Sequence, residues 1–409
     1  MENKYSINDL IEVKIEKIVP RGFGLAFAEN LTIFVALAAV GDRLRVRLSE
    51  IKGKLAYAEI ESVIEPSANR VEPPCEYFGT CGGCDFQQMN YAAQLVAKVG
   101  IIRDCLHRIA KIEYEKEIPI IPSPSEFGYR MRAQWHAETA SKKIGYYQRN
   151  SRDLVDIEKC IVLAPELNAE LSAMRNEIPW GTIAGGRFQI DAAVGSDGGV
   201  SLNSDEFVEP AGEIDFSVCG ETFRFSARSF FQGNPYLIDK LIETAIGDAS
   251  GTNALDLYCG VGLFTVPLAR KFKHVIGVED NQNAVEFAMT NALLAELANV
   301  EFRAENVRQY LANVVESDLD FVLLDPPRAG TEKDTIRNLI RLAPKQISYA
   351  ACEPSVLARD LRRFVDSGYK IDSITALDMF PQTHHVETVV RMHKPARKQG
   401  RNRNLNLRS

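Results

Sequence analysis

Asp256-Leu257-Tyr258-Cys259-Gly260-Val261-Gly262 decides the architecture of this chain. The stretch reads as a buried strand that turns on two glycines into a helix. Glycines at such a turn let the backbone pass close to a ligand at the helix N-terminus. The next apolar run ends about twenty residues on, at Glu279, where a carboxylate can accept hydrogen bonds from both hydroxyls of a ribose. A dinucleotide would suit this pair equally well. However, Thr265 occupies the third glycine position of the dinucleotide fingerprint, and a nucleoside without a pyrophosphate, such as S-adenosylmethionine, suits it better.

Outward from this turn, strands are expected near 254–258, 274–279, 300–304, 319–325, 346–351, 369–377 and 386–392, with helices in the gaps. The clearest helix runs from Ala284 to Leu297. The alternation predicts an α/β fold with a doubly wound, mostly parallel sheet of Rossmann type. A loop rather than a helix joins the last two strands, so the final strand should run antiparallel.

Three groups fall where ligands bind in such a sheet, outside the carboxyl ends of the strands. Asp325-Pro326-Pro327-Arg328 ends the fourth strand, and its prolines fix the backbone beside the aspartate. Arg328 stands where an amino-group methyltransferase would place an aromatic. Cys352 ends the fifth strand, in Ser348-Tyr349-Ala350-Ala351-Cys352-Glu353-Pro354-Ser355. The helix that follows should lower its thiol pKa, and Glu353 would oppose this if turned inward. Glu387 closes the loop Met379-Phe380-Pro381-Gln382-Thr383-His384-His385-Val386 before the last strand. A thiol nucleophile, a carboxylate base and a nucleoside site together suggest covalent methyl transfer to carbon. His384 and His385 offer bases or RNA contacts, with a structural role as the default.

The 409 residues allow two to four domains, and 45% hydrophobic content is ordinary for a globular chain. No apolar run reaches membrane-span length, and Met1-Glu2-Asn3-Lys4-Tyr5-Ser6 lacks the features of a secretory signal. A cytoplasmic protein is expected. The net charge of −7 does not announce a nucleic-acid partner, but Arg391, Lys394, Arg397, Lys398, Arg401, Arg403 and Arg408 stand near the end without an acidic residue. Residues 396–409 are read as a basic disordered tail, attractive to RNA or simply solubilising.

Residues 1–65 show short alternating strands and glycine turns, which predict a five-stranded barrel of the oligonucleotide-binding type. Arg43, Arg45 and Arg47 share one strand face there, toward RNA or toward solvent. Prolines at 66, 73 and 74 mark a linker into a central region, 66–214. Leu95, Val99, Ile102 and Leu106 trace an amphipathic helix over 90–111. Between 127 and 158, arginines alternate with aromatics in expected hairpins, fitting either a base-stacking groove or a packed core.

Cys75, Cys81 and Cys84 surround Gly82-Gly83, a pair that permits a tight reversal converging three thiols, and Cys160 is the candidate fourth ligand. Eight cysteines in a chain of this kind favour metal ligation over a disulfide framework. Zinc sites usually show two C-x-x-C knuckles. One is present, so a 4Fe–4S cluster is preferred to zinc. Cys105, Cys219 and Cys259 lack such spacing and are read as structural.

With these residues in view, the chain resembles the RNA 5-methyluridine methyltransferase family, in its branch with an iron–sulfur cluster and an N-terminal TRAM domain. The resemblance rests on Ser229-Phe230-Phe231-Gln232-Gly233-Asn234, the run Asp325-Pro-Pro-Arg-Ala-Gly, Cys352 followed by Glu-Pro-Ser-Val-Leu-Ala-Arg-Asp, and the Met379-Phe380-Pro381 to Glu387 run, in the family's order. It implies a TRAM barrel at 1–65, an α+β iron–sulfur domain at 66–214 and a methyltransferase domain at 215–395. It implies that Gln232, Tyr258, Glu279, Asn306 and Asp325 contact S-adenosylmethionine, that Cys352 is the nucleophile and Glu387 the base, and that Cys75, Cys81, Cys84 and Cys160 hold the cluster. Leu263 replaces an asparagine frequent in the family's cofactor loop. The implied substrate is a uridine of large-subunit ribosomal RNA, with transfer RNA as the second choice, and the implied enzyme is a monomer. A catalytically idle RNA-binding protein and an amino-group methyltransferase are the alternatives from other classes.

Overall fold

The computed structural model describes residues 4–183, 186–206, 212–315 and 318–395; the expected basic tail, 396–409, lies outside them. Arg391 and Lys394 are inside. Arg391 pairs with Asp248 at 2.5 Å, and the Lys394 ammonium lies 4.6 Å from the Tyr369 ring centroid.

The N-terminal region forms a six-stranded sheet, in the order Leu10–Lys14, Arg43–Lys52, Leu55–Glu65, Leu31–Val35, Phe23–Ala28, Lys17–Val19. Its two outermost strands are separated only by Ile15 and Glu16. Ile15 N still donates to Asp42 O at 2.9 Å, while Glu16 N already donates to Leu25 O at 2.8 Å. One continuous alternating stretch therefore changes partner midway and closes the sheet on itself. This accounts for six strands where the pattern predicts five. Val13, Ile33, Leu44 and Val46 fill the interior. Arg43, Arg45 and Arg47 do share an exposed face, but Glu12, Glu61 and Glu65 pair with them. That face neutralises itself.

A five-stranded antiparallel sheet follows, in the order Leu154–Asp156, Lys143–Tyr147, Arg132–Glu138, Arg187–Val194, Val200–Asn203, with the helix Pro165–Glu177 beside it. Tyr129 and Trp135 are fully buried, so these two aromatics of the hairpin region build a core and not a stacking groove. Tyr147 stacks instead on His136, with 4.0 Å between ring centroids.

The last half carries an eight-stranded sheet, in the order Val300–Ala304, Phe272–Glu279, Gly251–Leu257, Phe321–Leu324, Gln346–Ala351, Glu387–His393, Lys370–Leu377, Ile120–Ile121. The strands from 251 to 351 are mutually parallel, and Glu387–His393 runs antiparallel to both its neighbours. The edge pair Ile120–Ile121 is too short to leave a periodic signal, yet it adds a strand from the central region. Two apolar layers cover the faces, one around Leu241, Leu268 and Leu323, the other around Leu324, Ile336 and Leu361.

The helix Tyr91–Cys105 buries Gln94, Ala97, Lys98, Ile101, Ile102 and Cys105, while the expected Leu95 and Val99 are half-buried. Its inward face is rotated to carry two polar side chains. Among the described residues, no helix is long and apolar enough to cross a membrane.

Candidate active site

Strand order reverses between Gly251–Leu257 and Phe321–Leu324, and such a reversal opens a crevice at the carboxyl ends of the strands. The turn above the first of these strands is left-handed at Tyr258 (φ 64°), Gly260 (53°) and Gly262 (87°). It is tied down by Tyr258 N and Cys259 N, which both donate to Val278 O, at 2.9 and 3.1 Å. Glu279 reaches back from the neighbouring strand and accepts from Gly260 N at 3.1 Å and Asn281 N at 2.9 Å. Burial raises its pKa. A Cβ on Gly260 would meet nothing within 4 Å, which leaves open space above this turn.

Gln232 is buried, and its amide donates to Asp325 Oδ2 at 3.4 Å. Burial pushes the Asp325 carboxyl up to about 7. Asn306 caps the helix Val307–Asn313, accepting from Arg308 N at 3.0 Å. Leu263 packs into the core beside the turn. Asp256, to which the sequence assigned no role, lies beneath the same turn. It accepts from Thr265 Oγ1 at 2.5 Å, its other oxygen has no partner, and burial pushes it up to about 7.

Cys352 and Glu387 come together through strand register. The antiparallel ladder ends at the Ala351–Thr388 pair, so Cys352 and Glu387 are the next residues beyond it, and Glu387 itself pairs with Leu377 of the outer strand. Glu387 is buried with one oxygen unpartnered; burial and nearby Asp325 hold its pKa well above the usual carboxylate range. The expected lowering of the Cys352 pKa is overturned. Burial, then the charge of Glu387, pushes the thiol up to about 12, against the opposing pull of Arg328. The helix Pro354–Asp366 does begin there, but Glu353 caps it, accepting from Ser355 N at 3.3 Å and Ser355 Oγ at 2.7 Å. A carboxylate thus sits at the positive end of the helix.

The loop before Glu387 is held from several sides. Lys98 ion-pairs with Asp378 in full burial and donates to Phe380 O at 2.9 Å. Tyr129 Oη donates to Pro381 O at 3.0 Å, and Gln94 exchanges two hydrogen bonds with Gln382. His384 Nδ1 meets Asp85 Oδ2 at 2.6 Å. His385 Nδ1 is buried without a partner, and burial, with the charges of His384 and Arg328, pushes its pKa down to about 3. Donor atoms of Glu353, His384 and His385 lie within 4.8 Å of one another, the only such trio found among the described residues. The sequence reading missed Asp85, Gln94, Lys98 and Asp378. Its available signal was the polar pair at positions i and i+4, Gln94 and Lys98, in the otherwise apolar run from Ala92 to Ile102.

Cys75, Cys81, Cys84 and Cys160 line one cavity, together with Arg130 and Tyr146. Gly83 N donates to Cys81 Sγ at 3.4 Å. Burial pushes the Cys84 thiol up to about 12. Cys105 and Cys259 are buried, while Cys219 is exposed, with its thiol 3.1 Å from Asp239 Oδ1.

Residues 207–395 match the family model described as tRNA (Uracil-5-)-methyltransferase. An RNA methyltransferase of Thermosynechococcus vestitus is 31% identical over 93% of this chain and 97% of its own length. The 23S rRNA (uracil(1939)-C(5))-methyltransferase RlmD of Pectobacterium atrosepticum is also 31% identical, over 93% of this chain and 92% of its own. The solved Pyrococcus abyssi tRNA (uracil-54, C5)-methyltransferase, in complex with S-adenosyl-L-homocysteine, superposes with a TM-score of 0.73 at 26% identity, covering 93% of this chain and 100% of that one. The chain belongs to the RNA (uracil-5-)-methyltransferase family and is an S-adenosylmethionine-dependent enzyme.

Proposed function

We propose that this enzyme methylates carbon 5 of a uridine in large-subunit ribosomal RNA through a covalent adduct on Cys352. The observation that carries the reading is the ladder register, whose last pair, Ala351–Thr388, leaves Cys352 and Glu387 as the next residues at the edge of the crevice. The 31% identity to the Pectobacterium enzyme, against 26% to the Pyrococcus one, favours ribosomal RNA, and the Pyrococcus structure keeps transfer RNA as the second reading.

Carbon 5 of uracil is a weak nucleophile. Cys352 Sγ, after passing its proton to water, adds to carbon 6, and the displaced π electrons move onto the carbonyl oxygen at carbon 4 as an enolate. Carbon 5, made nucleophilic by the adduct, takes the electrophilic methyl group that bound S-adenosylmethionine would supply, with the neutral thioether S-adenosylhomocysteine as leaving group. Glu387 then takes the proton from carbon 5, the ring double bond re-forms, and the bond between Sγ and carbon 6 breaks to release thiolate. A desolvated carboxylate with a raised pKa and an unpartnered oxygen is a strong base for this step. The uridine has to leave its stack to reach the thiol.

Gln232, Tyr258, Glu279, Asn306 and Asp325 are assigned to the S-adenosylmethionine site. The open space above Gly260 and the carboxylates at the crevice suit a cationic nucleoside. Cys75, Cys81, Cys84 and Cys160 are assigned to a 4Fe–4S cluster. One zinc ion with sulfurs at about 2.3 Å would draw them to about 3.8 Å from one another, but no three of these sulfurs lie within 4.8 Å of one another. A shared cavity with wider spacing suits a larger group. The cluster's role in this reading is to shape the RNA-binding surface beside residues 1–65.

Ribosomal and transfer RNA from cells lacking the protein, incubated with enzyme and labelled S-adenosylmethionine and then digested to nucleosides, test the reading. Label in 5-methyluridine from the ribosomal pool is expected. Label in the transfer RNA pool alone selects the second reading, and label in other nucleosides alone refutes both.

A further inference from the structure

The cysteine loop and the loop that presents Glu387 meet at one joint. Cys84 lines the cysteine cavity, and Asp85 follows it. Asp85 N and Phe86 N both donate to Gln382 O, at 2.9 and 3.1 Å. The Asp85 carboxylate divides its oxygens: Oδ1 takes Arg149 Nη1 at 2.9 Å, while Oδ2 takes the His384 ring at 2.6 Å and the His384 amide at 3.3 Å. Arg149 returns to the cysteine loop, donating to Cys84 O at 2.5 Å and, from its backbone, to Thr80 O at 2.9 Å. Gly22 of the N-terminal sheet closes the joint, since a Cβ there would stand 3.1 Å from His384 Cβ and 3.4 Å from Asp85 Cβ.

The joint holds a conformation that would not persist alone. Gln382 is left-handed (φ 68°), and a non-glycine residue stays there only when its surroundings over-determine it. Here its carbonyl, amide and side chain are engaged by Asp85, Phe86, Gln94 and Glu126. Glu387 lies five residues further on.

Resting on the cluster and base assignments above, we propose that Asp85 is a positioning residue that couples occupation of the cysteine site to the placement of Glu387. With the four sulfurs held by a common group, the 80–85 loop is fixed and Asp85 locks His384 and Gln382. When the sulfurs are released, the joint loosens and the base retracts from Cys352, while the cofactor crevice on the other strands is untouched.

Hydrogen exchange of peptides spanning 379–388, in anaerobically purified full-length protein, tests the coupling. Removal of the cluster with a chelator and mild oxidant is expected to speed exchange of the 382–385 amides about tenfold or more. Asp85→Asn should do the same with the visible absorbance retained, and should lower kcat about tenfold with KM for S-adenosylmethionine unchanged. In His384→Ala, remote from the cysteines in sequence, the segment should already exchange fast, and cluster removal should add nothing. Unchanged exchange at 382–385 on cluster removal overturns the proposal, as do independent, multiplying effects of His384→Ala and removal. If Asp85→Asn sheds its cluster, His384→Ala decides alone. A protein with neither iron nor zinc on its cysteines defeats the cluster assignment separately. Unchanged 382–385 exchange in both variants then overturns the joint as well.

Discussion

Cys352 directly follows and Glu387 directly precedes the last pair of their antiparallel ladder, Ala351–Thr388, one just past the end of a parallel strand and the other at the start of an antiparallel one. Only a reversed final strand brings its first residue to the edge where parallel strands finish. The mixed sheet thus brings a thiol and a carboxylate to the crevice beside its last rung, the carboxylate on a strand and the thiol in the short bend between a strand and a helix.

Cys352→Ala is expected to lower single-turnover methylation by at least about 10^3-fold, with S-adenosylmethionine affinity and melting temperature close to those of the parent. Calorimetry and labelled-methyl transfer measure the two sides. Full activity in this variant would eliminate the covalent route.

Glu387→Gln should slow turnover by about 10^2–10^4-fold and, unlike the cysteine variant, accumulate protein cross-linked to methylated RNA. The reason is order: adduct formation precedes the proton removal that releases the thiol. A denaturing gel with labelled RNA shows the trapped species; its absence would move the base elsewhere.

Burial holds the Asp325 carboxyl at about 7. A cationic ligand favours its ionised form, so below that value a proton has to be released on binding. Affinity for S-adenosylmethionine should therefore weaken as pH falls from 8 to 6, approaching tenfold per unit below about 7. Titration calorimetry in buffers of different ionisation enthalpy should detect the released proton near pH 6, and Asp325→Asn should flatten the profile.

Gly145→Ala should lower stability by roughly 1–3 kcal/mol, because its Cβ would collide with Val155 O and Ile157 in the adjoining strand segment. Thermal melting measures this. The analogous change at Gly53, where a Cβ would meet nothing within 4 Å, is limited to the strain of its positive φ.

The parallel strands were legible because their buried runs end in distinctive chemistry, as at Glu279, Asp325 and Cys352. The antiparallel last strand was legible from the missing helix before it. The Ile120–Ile121 edge strand was not, since two residues have no period, and the sixth N-terminal strand was hidden by a change of partner inside one alternating run. Among the candidate site residues, Glu279, Asp325, Cys352 and Glu387 could be named from type and position, whereas Gln232, Tyr258 and Asn306 came only with the family resemblance. Asp85, Gln94 and Lys98 act through contacts with residues 280 to 299 positions away, and local pattern carries little of that. The raised Cys352 thiol escaped prediction for a related reason: helix position could be read from sequence, but the burial of the sulfur and the approach of Glu387 and Asp325 could not.

The antiparallel ladder also makes residues 378–386 a spacer of fixed length. Side chains on a strand alternate between faces, so a one-residue deletion there that shifted the register of Glu387–His393 would turn Glu387 away from the crevice and bring Thr388 in its place. A substitution in this segment leaves that register in place, whereas a change in its length separates a folded protein from a working enzyme.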